Sequence, residues 1–159
     1  MAYAPGQVGT ITIGGQTLST TGLIILAARA GGANLRSTFR KATGSAGYQV
    51  TAGKTLTVMA VQIFTQTNSG NQGYHIAQTD NDAGIAGTTA FTNPVYDFGT
   101  STNGAMGFPS DVSLANTNGS GAAGKQEYAS GFQAAAGKFL SLLGDGTNAA
   151  IMYVFCYER

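Results

Sequence analysis

The chain has 159 residues and a mass of 16.1 kDa, one ordinary domain with room for a core that needs no staples. Charged residues make up 9%, against about a quarter in a typical domain, while 43% of positions are hydrophobic and the net charge is +1. That balance excludes a disordered chain. One histidine, one cysteine and no tryptophan leave little material for catalysis and point to a structural or binding role.

Glycine, alanine, threonine, serine and asparagine supply 87 positions, so turns are dense and side chains short. The opening Met1-Ala2-Tyr3-Ala4-Pro5-Gly6-Gln7 carries no basic or apolar stretch and reads as no secretory leader. The longest apolar run near the front, residues 23–28, is too short for a bilayer core that needs roughly 20 residues. A soluble protein made in a reducing cytoplasm is expected, with no membrane partner. Cys156 alone excludes an intramolecular disulfide and a multi-cysteine metal cluster. Five of the eight basic residues precede Asp80, and all seven acids lie at or beyond it. Such opposed halves suit a basic face docking on an acidic surface, or one copy on the next. The basic residues are too sparse for a nucleic-acid partner.

In chain order, residues 8–13 alternate apolar and polar and meet Gly14-Gly15, a tight-turn pair from which residues 16–20 can return. Residues 22–30 and 133–143 are the best helical candidates, but β-branching and Gly137 favour strands or short turns. Residues 35–40 place Leu35, Ser37 and Phe39 on one face and Arg36, Thr38 and Arg40 on the other, a pattern that suits a solvated strand or one facing a partner. Residues 55–67 form the clearest strand, with Leu56, Val58 and Phe64 on one face and Met59, Val61 and Ile63 on the other. A strand apolar on both faces is central and needs cover from a second sheet or another subunit. Residues 73–79 follow as a strand. Residues 80–123 are turn-dense, and Phe91, Val95, Tyr96, Phe98, Met106, Phe108, Val112 and Leu114 are expected to pin long loops onto the sheet. Strands are expected again at 125–132, 138–143 and 148–158, the last two joined as a hairpin over Gly144-Asp145-Gly146-Thr147-Asn148. The closing strand, apolar on both faces, should be central. Short strands at this spacing predict an all-β, jelly-roll-like antiparallel β-sandwich.

One echo runs through the chain. Residues 51–58 (TAGKTLTV) and 135–142 (AAGKFLSL) share the pattern A-G-K-x-L-[ST]-[VL]. Glycine permits the positive φ of a tight turn, and lysine stays solvated as the strand begins. The spacing exceeds the period of a solenoid, so the copies read as matched turns into strands in the two halves of a sandwich.

With its two A-G-K turns, loop-rich middle and closing Tyr153-Val154-Phe155-Cys156-Tyr157-Glu158, the chain resembles the small jelly-roll proteins of tailed-phage particles: capsid decoration (cement) proteins and trimeric head-fibre modules. The resemblance covers residues 48–159 and leaves 1–47 as an N-terminal arm or extra strands. It implies a homotrimer on the capsid exterior of a virion, bound to the major capsid protein and stabilising the head. No catalytic residue and no cofactor come with it. Arg29, Arg36, Arg40 and Lys41 are the candidate capsid contacts, a basic group that could lie on an acidic shell. The alternative is a glycan- or receptor-binding fibre module in which Tyr74, Phe91, Tyr96 and Phe98 stand in for the missing tryptophan.

Catalytic and ligand readings find little support. His75 lies on an expected strand with no orienting partner in view. Asp80-Asn81-Asp82 with Gly84 lacks the terminal glutamate of a calcium loop and reads as a turn. Asp80, Asp82, Asp97, Asp111, Glu127 and Asp145 offer no distinguished carboxylate pair for a hydrolase. Residues 119–124 (GSGAAG) have the G-x-G-x-x-G form without the strand and helix of a nucleotide site. Cys156 reads as a buried, inert thiol.

Overall fold

The computed structural model describes residues 9–30, 36–65, 72–82, 94–101, 124–129, 131–144 and 150–159. Every regular element among them is a strand, and all strand pairings are antiparallel. β1 (Thr10–Ile13) and β2 (Gln16–Ser19) form the expected hairpin, closed by Gly14 and Gly15. Next come β3 (Ile24–Ala30), β4 (Arg36–Thr38), β5 (Arg40–Lys41) and β6 (Leu56–Thr65). They are followed by β7 (Gln72–Thr79), β8 (Pro94–Ser101), β9 (Gly124–Ala129) and β10 (Gln133–Ala134). β11 (Phe139–Gly144) and β12 (Ala150–Glu158) close the chain.

Two larger sheets face each other. A six-stranded sheet runs β10-β6-β12-β3-β5, with β9 also on β6, and a four-stranded sheet runs β4-β11-β7-β8. Between them lies one core. The larger sheet contributes Leu26, Ala28, Leu56, Val58, Val61, Ile63, Met152, Val154 and Cys156, and the smaller one Ile76, Leu140 and Leu142. This is an all-β sandwich, as the patterning implies. Both long apolar strands are interior, β6 between β9/β10 and β12, and β12 between β6 and β3.

The two-faced character of β6 has a local cause. Its register against β12 slips at Phe155/Cys156: Cys156 faces Val58, Phe155 faces Ala60, and Met59 is the extra residue of a β-bulge. Strict alternation would split Leu56 and Val58 from Val61 and Ile63. The bulge resets the phase, and all four enter the same core. Cover for the other face at this end comes from the chain itself, since Ile13 and Leu18 of the hairpin pack on Ala60 and Phe155.

Several expectations change in the fold. Of the two readings of residues 1–47, the described part takes the form of extra strands rather than an arm: β3 and β5 join one sheet and β4 the other. Residues 35–40 are not one solvated strand. The chain passes from one sheet to the other at Phe39, and Ser37, Thr38 and Phe39 are all buried. β11 and β12 belong to different sheets and do not form a hairpin. Within the turn-dense stretch, β8 is an edge strand that begins at Pro94, where a residue without an N–H costs no ladder bond. Phe91, Met106, Phe108, Val112, Leu114, the start of the 119–124 glycine loop and residues 145–148 lie outside the described residues.

The A-G-K echo is structural. Lys54 N–H donates to Thr51 O at 3.0 Å and Lys138 N–H to Ala135 O at 3.2 Å, closing two like turns. Gly53 and Gly137 hold φ of 76° and 75°, the left-handed third position of a type II turn. One turn leads into β6 and the other into β11, in opposite sheets. Val50 ties them together, donating to Lys138 O at 2.9 Å and accepting from Gly137 N–H at 2.8 Å.

Close approach also fixes Gly47. A Cβ there would stand 2.5 Å from Thr38 Cγ2 and 2.8 Å from the Asp82 carboxyl. Thr38 is fully buried and stiff at χ1, so it cannot yield. Gly47→Ala should lower stability by about 1–3 kcal/mol in a urea titration, the range for overpacking. Part of that is the Gly47 N–H bond to Asp82 Oδ2, now 2.7 Å.

Candidate interaction face

β12 alternates cleanly. Ala150, Met152, Val154 and Cys156 enter the core, while Ile151, Tyr153, Phe155 and Tyr157 point to the outer face of the larger sheet. Pairing carries that face across the neighbours. Ile25, Ala27 and Arg29 of β3 share it, as do Ala60, Gln62 and Phe64 of β6 beyond the bulge. The β1-β2 hairpin covers one end, latched where the Tyr157 hydroxyl donates to Ser19 O at 2.5 Å.

Past the hairpin no described strand packs on the face. Ile25 is 45% exposed and Ile151 39%, the two exposed large hydrophobics among the described residues. Phe64 and Tyr153, both half-buried, meet edge to face with centroids 5.7 Å apart and planes at 84°. Such a pair holds the ring surfaces rigid without drawing them into the core. Gln62 Nε2 donates to Glu127 Oε1 at 2.7 Å along the same face.

Cross-strand register arranges these residues in rows. One row reads Arg40, Ala27, Tyr153, Gln62, Glu127, and the next reads Arg29, Ile151, Phe64, Lys125. Arginine therefore borders an apolar and aromatic centre on the β3/β5 side, with Glu127 across from it on β9.

Two of the four basic residues singled out in the sequence, Arg29 and Arg40, meet at this border. Arg29 is exposed on the face, and Arg40 is half-buried with Nη1 donating to Ser45 O at 2.7 Å. Lys41 pairs with core-facing Leu26, so it leaves β5 on the opposite side, exposed, with Nζ 5.1 Å from the Tyr48 ring centroid. Arg36 is not with them. It lies in β4 of the smaller sheet, opposite Leu143. Ile25 and Ile151 carry no reading in the sequence, and Phe64, Tyr153 and Glu127 enter it only as a strand residue, part of the closing stretch and one of six carboxylates. The signal for Ile151 and Tyr153 is present in the alternation of residues 150–157, once one face of that strand is assigned to the core.

Elsewhere, several of the described titratable groups serve the fold. Asp80 pairs with Lys138 Nζ at 2.5 Å, Asp82 caps Gly47 N–H, and Thr79 Oγ1 donates to Asn81 O at 3.2 Å, so the Asp80-Asn81-Asp82 stretch is committed to turn contacts. His75 sits on β7, opposite Leu143 and Asp97 in register. Tyr74 is also on β7, and Tyr96 and Phe98 are on β8. Burial pushes the Cys156 thiol pKa up, which makes it inert as a nucleophile. Among the described residues, no three His, Cys, Asp or Glu side chains stand close enough to hold a metal ion.

A carboxylate held by several donors seals the end of β12. Burial alone would raise the Glu158 pKa. Thr51 N–H at 2.7 Å, Thr51 Oγ1 at 2.8 Å, the Tyr48 hydroxyl and the charge of Lys54 outweigh it and hold the carboxyl below its ordinary 4.5. Tyr48, in turn, is pushed up to about 12 by its burial and by Glu158. A carboxyl with a lowered folded-state pKa stabilises the fold above its unfolded pKa and loses that contribution as pH falls through the folded value. Glu158→Gln should cost about 1–2 kcal/mol at pH 7, the worth of charge-assisted hydrogen bonds at a half-exposed site. Urea midpoints taken at stepwise lower pH should converge for the two proteins below the ordinary glutamate value.

No family model, curated protein or solved structure matches the chain.

Proposed function

We propose that this chain is a structural protein of a virus particle, a decoration protein that binds the major capsid protein and stabilises the head from outside. The outer face, read as an assembly surface, carries the reading: an apolar and aromatic centre with Ile25 and Ile151 exposed, bordered by Arg29 and Arg40. Exposed apolar surface rimmed by polar groups marks a protein contact rather than a small-molecule pocket. A charge-poor chain suits side-by-side packing at high copy number, where like charges would repel. Acids and lysines tied into turns support a non-catalytic role.

Purified chain should pellet with capsid shells that lack it and raise their temperature of disruption. Lys41→Glu, at the exposed end of β5 next to Arg40, should weaken that pelleting several-fold. Shells that neither bind the wild-type chain nor gain stability from it would refute the proposal.

A further inference from the structure

The outer face is self-complementary, and we infer that a second copy of this chain covers it about a two-fold axis running along β12. This rests on the reading above only in treating the face as an assembly surface, and it names the partner.

The argument is one of symmetry. β12 is the middle strand of β9-β6-β12-β3-β5. The row through Tyr153 has Arg40 two strands to one side and Glu127 two strands to the other. A two-fold axis lying between two stacked faces and parallel to β12 exchanges the left and right strands and keeps the rows. Arg40 of one copy then meets Glu127 of the other, twice over. In the next row Arg29 meets the ring of Phe64, a cation on an aromatic face, and Ile151 meets Ile151. An axis across the strands would instead stack Arg40 on Arg40 and Glu127 on Glu127. The charges therefore select one of the two ways of pairing these faces. Aligned packing of sheets is an ordinary geometry, and a closed two-fold pair leaves no open end to polymerise.

The part past the hairpin is four strand spacings wide, roughly 19 Å, so the pair is smaller than a standard interface and should dissociate on dilution. Lys41 lies outside the contact, at the β5 edge, and remains available to a shell.

Sedimentation of the isolated full chain, with no shell present, tests the pair over about 10 µM to 1 mM, the range in which a contact of this size is populated. The wild type should move from monomer to dimer. Arg40→Glu and Glu127→Arg should each weaken the dimer at least tenfold, because each sets like charges against each other. An equimolar mixture of these two variants should restore it as a heterodimer. Across that heterodimer the two reversed side chains face each other at one contact and the two native ones at the other, so both contacts again join opposite charges. Restoration also shows that both variants fold. Ile151→Lys should remain monomeric. A wild type monomeric throughout the range, a trimer indifferent to both reversals, or a mixture that stays monomeric would overturn the inference. Shell binding by the wild-type chain is read separately by pelleting and does not depend on that result.

Discussion

Deleting Tyr153 should abolish folding, whereas deleting Met59 should leave a folded protein. The side-chain period of a strand is two, so removing one residue turns every residue on one side of the cut to the opposite face. β12 has no slack. It pairs with β6 on one side and with β3 on the other, and its core positions alternate without interruption from Ala150 to Cys156. After loss of Tyr153, either Ala150 and Met152 or Val154 and Cys156 must leave the core. Met152, Val154 and Cys156 are fully buried, and losing two such side chains costs roughly 3–6 kcal/mol, comparable with the whole stability of a small domain. Met59 is different. It is the residue that β6 has in excess over β12, so its removal joins Val58 to Ala60 and makes the ladder regular without moving Val61 or Ile63. The remaining loss is its packing against the hairpin, where it is half-buried, about 1–2 kcal/mol. Far-ultraviolet circular dichroism and urea unfolding of the two deletion variants distinguish these outcomes. An equally folded Tyr153 deletion would mean that β12 can slip within its sheet.

The bulge marks where the sequence stops being legible. Composition, turn glycines and apolar runs place most of the strands, because each rests on a local rule: Gly14-Gly15 for a tight hairpin, A-G-K for a type II turn, continuous apolarity for an interior strand. β6 obeys those rules and breaks one. Its alternation carries a phase error at Met59 that only the partner strand reveals. Read without the bulge, the strand is apolar on both faces and calls for a second sheet or another subunit to cover it. With the bulge, four of its apolar residues share one core, and the hairpin covers the opposite end.

Crossings between the sheets are hidden for a similar reason. Nothing within residues 35–40 says that Arg36 and Arg40 lie in different sheets, or that 144 and 150 do, because pairing is decided by residues far along the chain. The candidate face suffers most. Arg29 and Arg40 stand out by charge, but their border role depends on Ala27 facing Arg40 and on Gln62 facing Glu127, pairings that span 13 and 65 residues of chain. Arg36 has the same charge and the wrong sheet. Charge alone could not separate it from those two.

Phe39 is the residue most misjudged by its neighbours in sequence and the one whose truncation should cost most. Arg36, Thr38 and Arg40 around it give the segment a polar look. Yet Phe39 is wholly inaccessible to solvent and heads the fully buried side chains by size. It sits at the crossing from β4 to β5. Its N–H donates to Leu140 O and its carbonyl accepts from Tyr48 N–H, both at 2.8 Å, so the backbone is held from two sides while the ring enters the core between the sheets. Phe39→Ala leaves a cavity that this clamped backbone cannot collapse to fill, and the loss should be about 3–5 kcal/mol. Phe39→Leu keeps most of the volume and should cost about 1–1.5 kcal/mol. Because Arg40 is the next residue and lies at the border of the outer face, loosening the crossing should also weaken self-association at concentrations where the variant is still folded. Urea midpoints report the first effect and sedimentation the second. If Phe39→Ala unfolds no earlier than the wild type, the crossing is not buried as described, and the placement of β5 beside β3 loses its anchor.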